Sequence, residues 1–186
     1  KIELPEVSAS TKKRWGKCNT LTAGYGHGIN TTPIQLTRAF AAIINGGYLF
    51  DISLLKNKDP KFKSKIISKK NSETMRKILR TNVDNDYVRG GSGRKADIKG
   101  YNVMGKTGTA EKPLKLSKGY SNEILNIFTS AFEVNKKVYV LTVVIDEPKG
   151  SKKLWGHNRR EAGWNAGYIN GQIIEKIGPI LNTLKF

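Results

Sequence analysis

The sequence predicts an α+β fold, in which helices flank an antiparallel sheet. Two observations carry this prediction. Three segments with strand character follow one another between residues 101 and 146, and segments with helical periodicity lie before and after them. The second and third strand candidates are separated by so few residues that they form a hairpin, which makes their pairing antiparallel. The 186 residues suffice for one domain or a large piece of one.

Two helices are predicted ahead of the strands. Thr32 followed by Pro33 is a typical helix start, because Thr caps the first amide groups and Pro fits the first turn. The glycines of Asn45-Gly46-Gly47 end this helix. Ser68 caps the second helix, and four apolar residues are predicted to share its buried face. They are Met75, Ile78, Leu79 and Val83.

The strand candidates span residues 101 to 110, 124 to 134 and 137 to 146. The last of them is almost continuously apolar, which is typical of a strand buried on both faces. A closing helix over residues 164 to 185 is predicted to bury six side chains, with a kink at Gly178-Pro179. The six are Trp164, Tyr168, Ile173, Ile174, Ile177 and Leu181.

The chain is strongly basic, with 33 Lys and Arg against 15 acidic residues and a net charge of +18. This charge attracts anions. A basic module that binds nucleic acid or other anions is therefore one alternative function, although we predict no nucleic-acid partner. Lysines crowd residues 56 to 70, which are predicted to form a solvated loop. A single cysteine, Cys18, excludes an internal disulfide, and with only His27 and His157 we predict neither a metal nor a cofactor.

One segment fits two enzyme motifs. From Gly100 to Thr107 the residues match the phosphate-binding pattern G-x-x-x-x-G-K-[ST], and Asp146 ends an apolar strand as a magnesium-positioning acid would. A P-loop nucleotide hydrolase is therefore one alternative. The context opposes it, since a phosphate cradle needs a helix after its Lys-Thr pair. Gly108 and Pro113 leave almost no room for that helix.

The competing motif is Lys106-Thr107-Gly108, which occurs in β-lactamases and penicillin-binding proteins. Here the context fits, because the motif lies on a strand candidate. Lys106 offers a positive charge and Thr107 a hydroxyl to a substrate carboxylate. Gly108 removes a side chain where a substrate backbone approaches closely.

Further segments in the same order resemble class B penicillin-binding proteins, above all the septal, cell-division transpeptidase of α-proteobacteria. They cover nearly the whole chain. The segments are Gly24-Tyr25-Gly26-His27-Gly28, Thr32-Pro33-Ile34-Gln35-Leu36, Gly90 to Gly93, Lys106 to Lys112, Val143 to Gly150 and Ala162-Gly163-Trp164-Asn165-Ala166.

The resemblance implies a penicillin-binding, β-lactamase-like fold and a peptidoglycan D,D-transpeptidase, whose partners are stem peptides, β-lactams and division-machinery membrane proteins. It implies that Lys106 and Thr107 bind the substrate carboxylate and that the backbone N–H of Thr109 forms half of an oxyanion hole. Tyr25 to Gly28 would lie near the rim of the active site. The location implied is the periplasmic face of the bacterial inner membrane, with the anchor outside this chain.

The nucleophile of that family is a serine in S-x-x-K at the start of a buried helix. Three matches begin at Ser10, Ser53 and Ser92, and all three lie in unsuitable contexts that indicate chance. No S-x-N motif occurs. We therefore interpret residues 1–186 as the C-terminal portion of a transpeptidase domain, inactive by itself, with the nucleophile upstream.

Such a truncation has a structural consequence. In the family fold, strands from upstream sequence pair beside the strand equivalent to residues 137 to 146. Without them, that apolar strand has an open edge, which favours self-association. We therefore predict that the chain self-associates through this edge or sits beside the rest of its protein.

Overall fold

The structure is a computed structural model that describes residues 2–11, 14–55, 59–87, 90–114 and 119–184. Seven strands and five α-helices lie in these ranges, with short 3-10 helices at Arg94–Ala96 and Ala162–Trp164. The strands are β1 (Ser10–Thr11), β2 (Ile29–Asn30), β3 (Tyr48–Phe50), β4 (Phe62–Lys65), β5 (Met104–Pro113), β6 (Tyr120–Val134) and β7 (Lys137–Asp146). The helices are α1 (Lys17–Ala23), α2 (Pro33–Ile44), α3 (Lys69–Thr81), α4 (Lys152–Trp155) and α5 (Ala166–Thr183).

The central layer is an antiparallel sheet in the order β5-β6-β7. Helix α5 covers one face, and helices α2 and α3 cover the other. The predicted α+β arrangement is confirmed. The turn between β6 and β7 is as tight as predicted, since Val134 pairs with Lys137 and the two intervening residues have φ values of +50° and +66°.

Each face of the sheet has its own apolar core. On the α5 side, Phe128 and Phe132 of β6 pack with residues of the glycine loop region and α5, including Ala96 and Ile174. On the other side, Phe40 and Ile44 of α2 meet apolar residues of the sheet and α3; these are Leu79, Met104 and Ala131. The sheet thus holds its central strand, β6, between two packed layers of helix.

The helix starts are as predicted. Thr32 caps α2, since its side chain accepts from the Gln35 amide while the Gln35 side chain accepts from the Thr32 amide. Ser68 caps α3 by accepting from the Asn71 amide. The face predicted for α3 is wrong at Ile78, which is 55% exposed because α3 turns its Leu79 side onto the sheet. It is also wrong at Val83, which is buried but lies beyond the end of the helix.

The strand buried on both faces is β6, so the prediction for residues 137 to 146 is wrong in this respect. Val138 and Val144 of β7 are 40% and 37% exposed, whereas β6 is buried continuously from Phe128 to Phe132. Position in the sheet decides this, because β6 is central and β7 lies at the edge. The small residues at 129 to 131 let helices approach β6 from both sides.

The first strand candidate begins later than predicted, at residue 104 instead of 101. Gly100 and Asn102 have φ values of +93° and +45°, so the chain turns there before it extends. The strand also continues to Pro113, which pairs with Tyr120. The second strand begins earlier than predicted, at residue 120 instead of 124.

Two helices and two small hairpins were not predicted. Helix α1 forms in the polar N-terminal segment, α4 follows β7, and the hairpins join β1 to β2 and β3 to β4. Strand β4 lies within the lysine-rich stretch that was predicted to be a loop, and its side chains are exposed. Residues 56–58 of that stretch lie outside the described residues.

Small residues of α5 pack against the segment that precedes β5, a feature that the predicted apolar list missed. Of the six residues on that list, only Ile174 is fully buried, and the other five are partly buried. Its buried positions include Gly171 and Gly178. A Cβ on Gly178 would lie 2.3 Å from the Tyr101 ring, so only glycine fits there. One helix spans Ala166–Thr183 with Pro179 inside it, and the kink at Gly178-Pro179 stays a prediction.

Candidate active site

Strand β5 carries the Lys-Thr-Gly-Thr motif along one edge of the sheet. Within the described ranges it pairs with β6 alone, so its other edge is open. The register sets Lys106 opposite Thr129 and Thr107 opposite Phe128. Because side chains alternate along a strand, Lys106 and Gly108 share the α2 side, whereas Thr107 and Thr109 share the α5 side. The side chains of the motif therefore lie on both faces of the sheet, beside its open edge.

Lys106 is exposed, and its ammonium lies close to the backbone of the motif. Its Nζ donates to the carbonyl oxygen of Thr107 at 2.9 Å. This contact holds the positive charge beside the strand edge instead of extending it into solvent. A carboxylate that approaches the edge meets this charge first.

Thr107 is part of a hydrogen-bond chain that the sequence did not reveal. Its Oγ1 lies 2.7 Å from the Ser92 hydroxyl, which donates to Asn82 Oδ1 at 3.1 Å. Asn82 also donates from Nδ2 to the Gly105 carbonyl at 2.7 Å. The C-terminal end of α3 is thus connected through the glycine loop to the motif strand.

Thr109 fixes the segment that leads into α5. Its hydroxyl accepts from the backbone N–H of Ala162 at 3.2 Å. Its cross-strand neighbour Asn126 donates to the Arg160 carbonyl and to Asn165 Oδ1, at 2.6 and 2.8 Å. The segment from 160 to 165 is therefore held beside the C-terminal half of the motif.

The two glycines of the motif region have different reasons to be glycine. A Cβ on Gly105 would lie 2.8 Å from the Phe128 ring and 2.9 Å from the Thr129 carbonyl oxygen, so internal packing excludes a side chain. Among the described residues, no atom would lie closer than 3.9 Å to a Cβ on Gly108. Packing within this part of the chain does not require Gly108, which leaves room for a molecule outside the edge.

A cavity of about 630 Å³ opens beside the end of the motif. Thr109, Tyr25 and His27 line it together, so the loop predicted near the rim does lie beside the motif strand. The His27 Nε2 is 3.4 Å from the Tyr120 hydroxyl, which joins this loop to β6. Further lining residues are Gly26, Ala110, Glu111, Tyr120, Ile124, Arg160 and Glu161.

An ion pair fixes the approach to β5. Arg80 of α3 donates to Asp97 at 2.7 Å and to the Val103 carbonyl at 2.7 Å. Burial alone would raise the pKa of the Asp97 carboxyl, but hydrogen bonds from Arg80 and from the Asn85 amide outweigh it and hold this pKa below its usual value. The pair keeps Asp97 charged and anchors the turn that starts the motif strand.

The P-loop alternative is wrong on this geometry. The Lys-Thr pair lies inside a strand, so no helix N-terminus is available there for phosphate. Asp146 lies 2.7 Å from the ammonium of Lys112. Together with Glu147 it raises the pKa of that ammonium. The acid thus forms an ion pair across the end of the sheet instead of facing the motif.

The three S-x-x-K matches lie apart from one another. Ser10 is in β1, and Ser53 donates to Glu3 at 2.8 Å; Lys13 and Lys56, the lysines of these two matches, lie outside the described residues. Ser92 contacts Asn82 and Thr107, while the Lys95 ammonium lies over the Trp155 ring at 4.3 Å. That these matches arise by chance stays a prediction.

Comparison with known proteins identifies the family. The family model described as "Penicillin binding protein transpeptidase domain" matches residues 1–165. This chain belongs to that family. The penicillin-binding transpeptidase chain is 33% identical over 98% of its length to "Probable peptidoglycan D,D-transpeptidase FtsI" of Caulobacter vibrioides. It is also 33% identical over 95% of its length to "Peptidoglycan D,D-transpeptidase FtsI" of Buchnera aphidicola subsp. Baizongia pistaciae.

These relatives, both named FtsI, confirm the class B penicillin-binding family that the resemblance implied. The chain spans about a third of their length, 32% and 29% respectively. Among the residues described here, no helix is long and apolar enough to cross a membrane.

Solved structures confirm the fold. The transpeptidase domain of Burkholderia pseudomallei penicillin-binding protein 3 aligns with a TM-score of 0.79 at 26% identity, over 98% of this chain and 53% of that one. Penicillin-binding protein 3 of Mycobacterium tuberculosis, solved in complex with ampicillin, aligns with a TM-score of 0.64 at 23% identity, over 81% of this chain and 36% of that one. The architecture is thus that of penicillin-binding transpeptidases.

Sequence reasoning missed the Ser92 and Asn82 side chains. The glycine spacing around Ser92 was the available signal, since a Cβ on Gly91 would lie 1.9 Å from the Asn82 carbonyl oxygen. Closely spaced glycines in a loop indicate such backbone contacts. Nothing in the sequence indicated that Tyr120 or Arg160 would line the cavity.

Proposed function

We propose that this chain supplies the carboxylate-binding wall of a peptidoglycan D,D-transpeptidase, and that residues 1–186 form the C-terminal portion of its transpeptidase domain. The observation that carries the proposal is the open β5 edge. There the Lys106 ammonium lies against the strand, and a Cβ on Gly108 would meet no atom of the described residues closer than 3.9 Å. An extended peptide that ends in a carboxylate can pair with such an edge.

In this proposal each motif residue has one task. Lys106 and the Thr107 hydroxyl bind the terminal carboxylate of a stem peptide or of a β-lactam. Gly108 lets the peptide backbone approach the strand. The backbone N–H of Thr109 provides half of the oxyanion hole, which stabilises the negative oxygen that forms when a nucleophile attacks the peptide carbonyl.

The nucleophile is proposed to come from a serine outside this chain, as is the S-x-N motif. The serine hydroxyl attacks the D-Ala-D-Ala carbonyl, the terminal D-Ala leaves, and the acyl group passes to an amine of a neighbouring stem peptide. The chain by itself is then inactive. We further propose that the whole protein works at the periplasmic face of the inner membrane, held by an anchor outside this chain and in contact with division-machinery membrane proteins.

Labelling with fluorescent penicillin tests this function. The protein expressed from its complete reading frame should form a covalent adduct, whereas residues 1–186 alone should not. Peptide mapping should place the adduct on a serine other than Ser10, Ser53 and Ser92. An adduct on one of these three serines, or no adduct on the complete protein, would contradict the proposal.

A further inference from the structure

We infer that Ser92 is a positioning residue for the carboxylate-binding hydroxyl of Thr107, through a relay that begins at Asn82. The inference rests on the proposed function, and it adds a residue that the Lys-Thr-Gly-Thr motif does not contain. The relay consists of Asn82, Ser92 and Thr107, whose side chains are joined by hydrogen bonds of 3.1 and 2.7 Å.

Chemistry fixes the orientation of the Asn82 amide. Its nitrogen faces the Gly105 carbonyl oxygen at 2.7 Å, an atom that can only accept. The amide oxygen therefore faces Ser92, and it too can only accept. Without a bound ligand, the Ser92 hydroxyl therefore donates the 3.1 Å hydrogen bond.

A serine hydroxyl has one proton, so this assignment determines the second bond. With the Ser92 proton directed at Asn82, the 2.7 Å bond to Thr107 takes its proton from Thr107. A bound carboxylate is the stronger acceptor, so the Thr107 hydroxyl turns and donates its hydrogen bond to it. Ser92 then exchanges its hydrogen bond to Asn82 Oδ1 for one donated to Thr107 Oγ1, which keeps the Thr107 hydroxyl aimed at the ligand.

The backbone around the relay is tightly constrained. The Gly93 amide donates to the Asn82 carbonyl at 3.0 Å, and a Cβ on Gly163 would lie 2.1 Å from the Ser92 carbonyl oxygen. Contacts on both sides therefore hold Ser92 in place. A fixed donor lowers the entropy that Thr107 loses when it orders around a carboxylate.

The test is the acylation of the complete protein by penicillin, resolved into the dissociation constant of the first complex and the rate constant of acylation. Ser92→Ala should raise the dissociation constant roughly three- to tenfold, the range expected when one neutral hydrogen bond is lost. The acylation rate constant should stay unchanged. Ser92→Thr restores the hydroxyl and should restore binding.

A matched control and a double mutant separate positioning from structure. Ser64→Ala removes an exposed serine hydroxyl on β4, away from the motif, and should leave binding unchanged. In a Thr107→Val background, Ser92→Ala should have no further effect, because the relay then has no end point. Melting temperatures of all the variants check that each one folds.

Three results would overturn the relay. They are an unchanged dissociation constant in Ser92→Ala, an equal effect of Ser92→Ala with and without Thr107→Val, and no restoration by Ser92→Thr. If penicillin acylates the unmodified complete protein and the Ser92→Ala variant has the same dissociation constant, the relay alone fails. If penicillin does not acylate the unmodified protein, the proposed function fails and the relay fails with it.

Discussion

Both edges of the central sheet lack a partner strand within the described residues, but the side chains along the two edges differ. The β5 edge carries Lys106 and Gly108 and lies beside a cavity, whereas β7 carries an almost unbroken apolar run from Val138 to Ile145. Unpaired backbone groups on either edge can add a strand. The side chains decide which kind of strand each edge can bind. The charged β5 edge favours a small peptide with a terminal charge, and the apolar β7 edge favours a strand of protein.

Removal of the β5 charge should have the largest effect. In the complete protein, Lys106→Ala should lower the second-order rate constant of penicillin acylation about 100-fold, since a hydrogen bond to a charged group is lost. Lys77→Ala, an exposed lysine on α3, is the control and should change nothing. If both variants retain acylation, β5 is not the ligand edge.

The two glycines near the motif sharpen the distinction between ligand contact and packing. Gly105→Ala should destabilise the fold by about 2 kcal/mol, because its Cβ would overlap Phe128. Gly108→Ala should melt at the same temperature as the unmodified protein but be acylated about tenfold more slowly, as its Cβ points at the ligand's path. Urea unfolding and penicillin kinetics measure the two effects. Equal stability losses in both variants would show that Gly108 is a packing residue after all.

The ion pair that anchors the start of β5 should make the fold sensitive to acid. The folded pKa of Asp97 is lowered, so its contribution is fully present above the ordinary aspartate pKa and is lost as the pH falls through the folded value. Asp97→Asn should cost about 2 kcal/mol of unfolding free energy at pH 7, with a smaller loss below pH 3. Urea unfolding across this pH range measures it, with Asp59→Asn, on an exposed aspartate, as the control. A loss that is the same at both pH values would contradict the ion-pair account.

The smallest expected effect concerns self-association through β7. Residues 1–186 alone should associate, and Val138→Lys with Val144→Lys should weaken that association about tenfold by placing charges on the strand. Both valines are exposed, so the fold should tolerate the change. Ile180→Lys, an exposed apolar position on α5, is the control. Sedimentation velocity would count against an edge interaction if the control weakened association equally.

Local signals predicted most of the fold. The caps at Thr32 and Ser68 and the short turn at residues 135 and 136 each depend on a few neighbouring residues, and all are confirmed. Burial on both faces of a strand depends on its neighbours in space. The apolar run therefore pointed to β7, although the central position belongs to β6.

The candidate site likewise contains residues that the sequence could predict and residues that only the structure brings together. The motif residues are contiguous, so the sequence alone brought Lys106, Thr107, Gly108 and Thr109 together. Ser92 is 15 positions from Thr107 and Asn82 is 25, and only the packing of α3 against β5 brings them into contact. Spacing of this kind carries no periodic signal that a sequence pattern could reveal.

The tight turn at Asn135 and Lys136 has a consequence for the order of folding. Both residues have positive φ, the geometry that matches the twist of the strands, so β6 and β7 meet at almost no cost in loop closure. Hairpins of this kind form in about 1–10 μs. We therefore expect β6 and β7 to pair before β5 joins them, so that the ligand-binding strand is the last of the three to take its place.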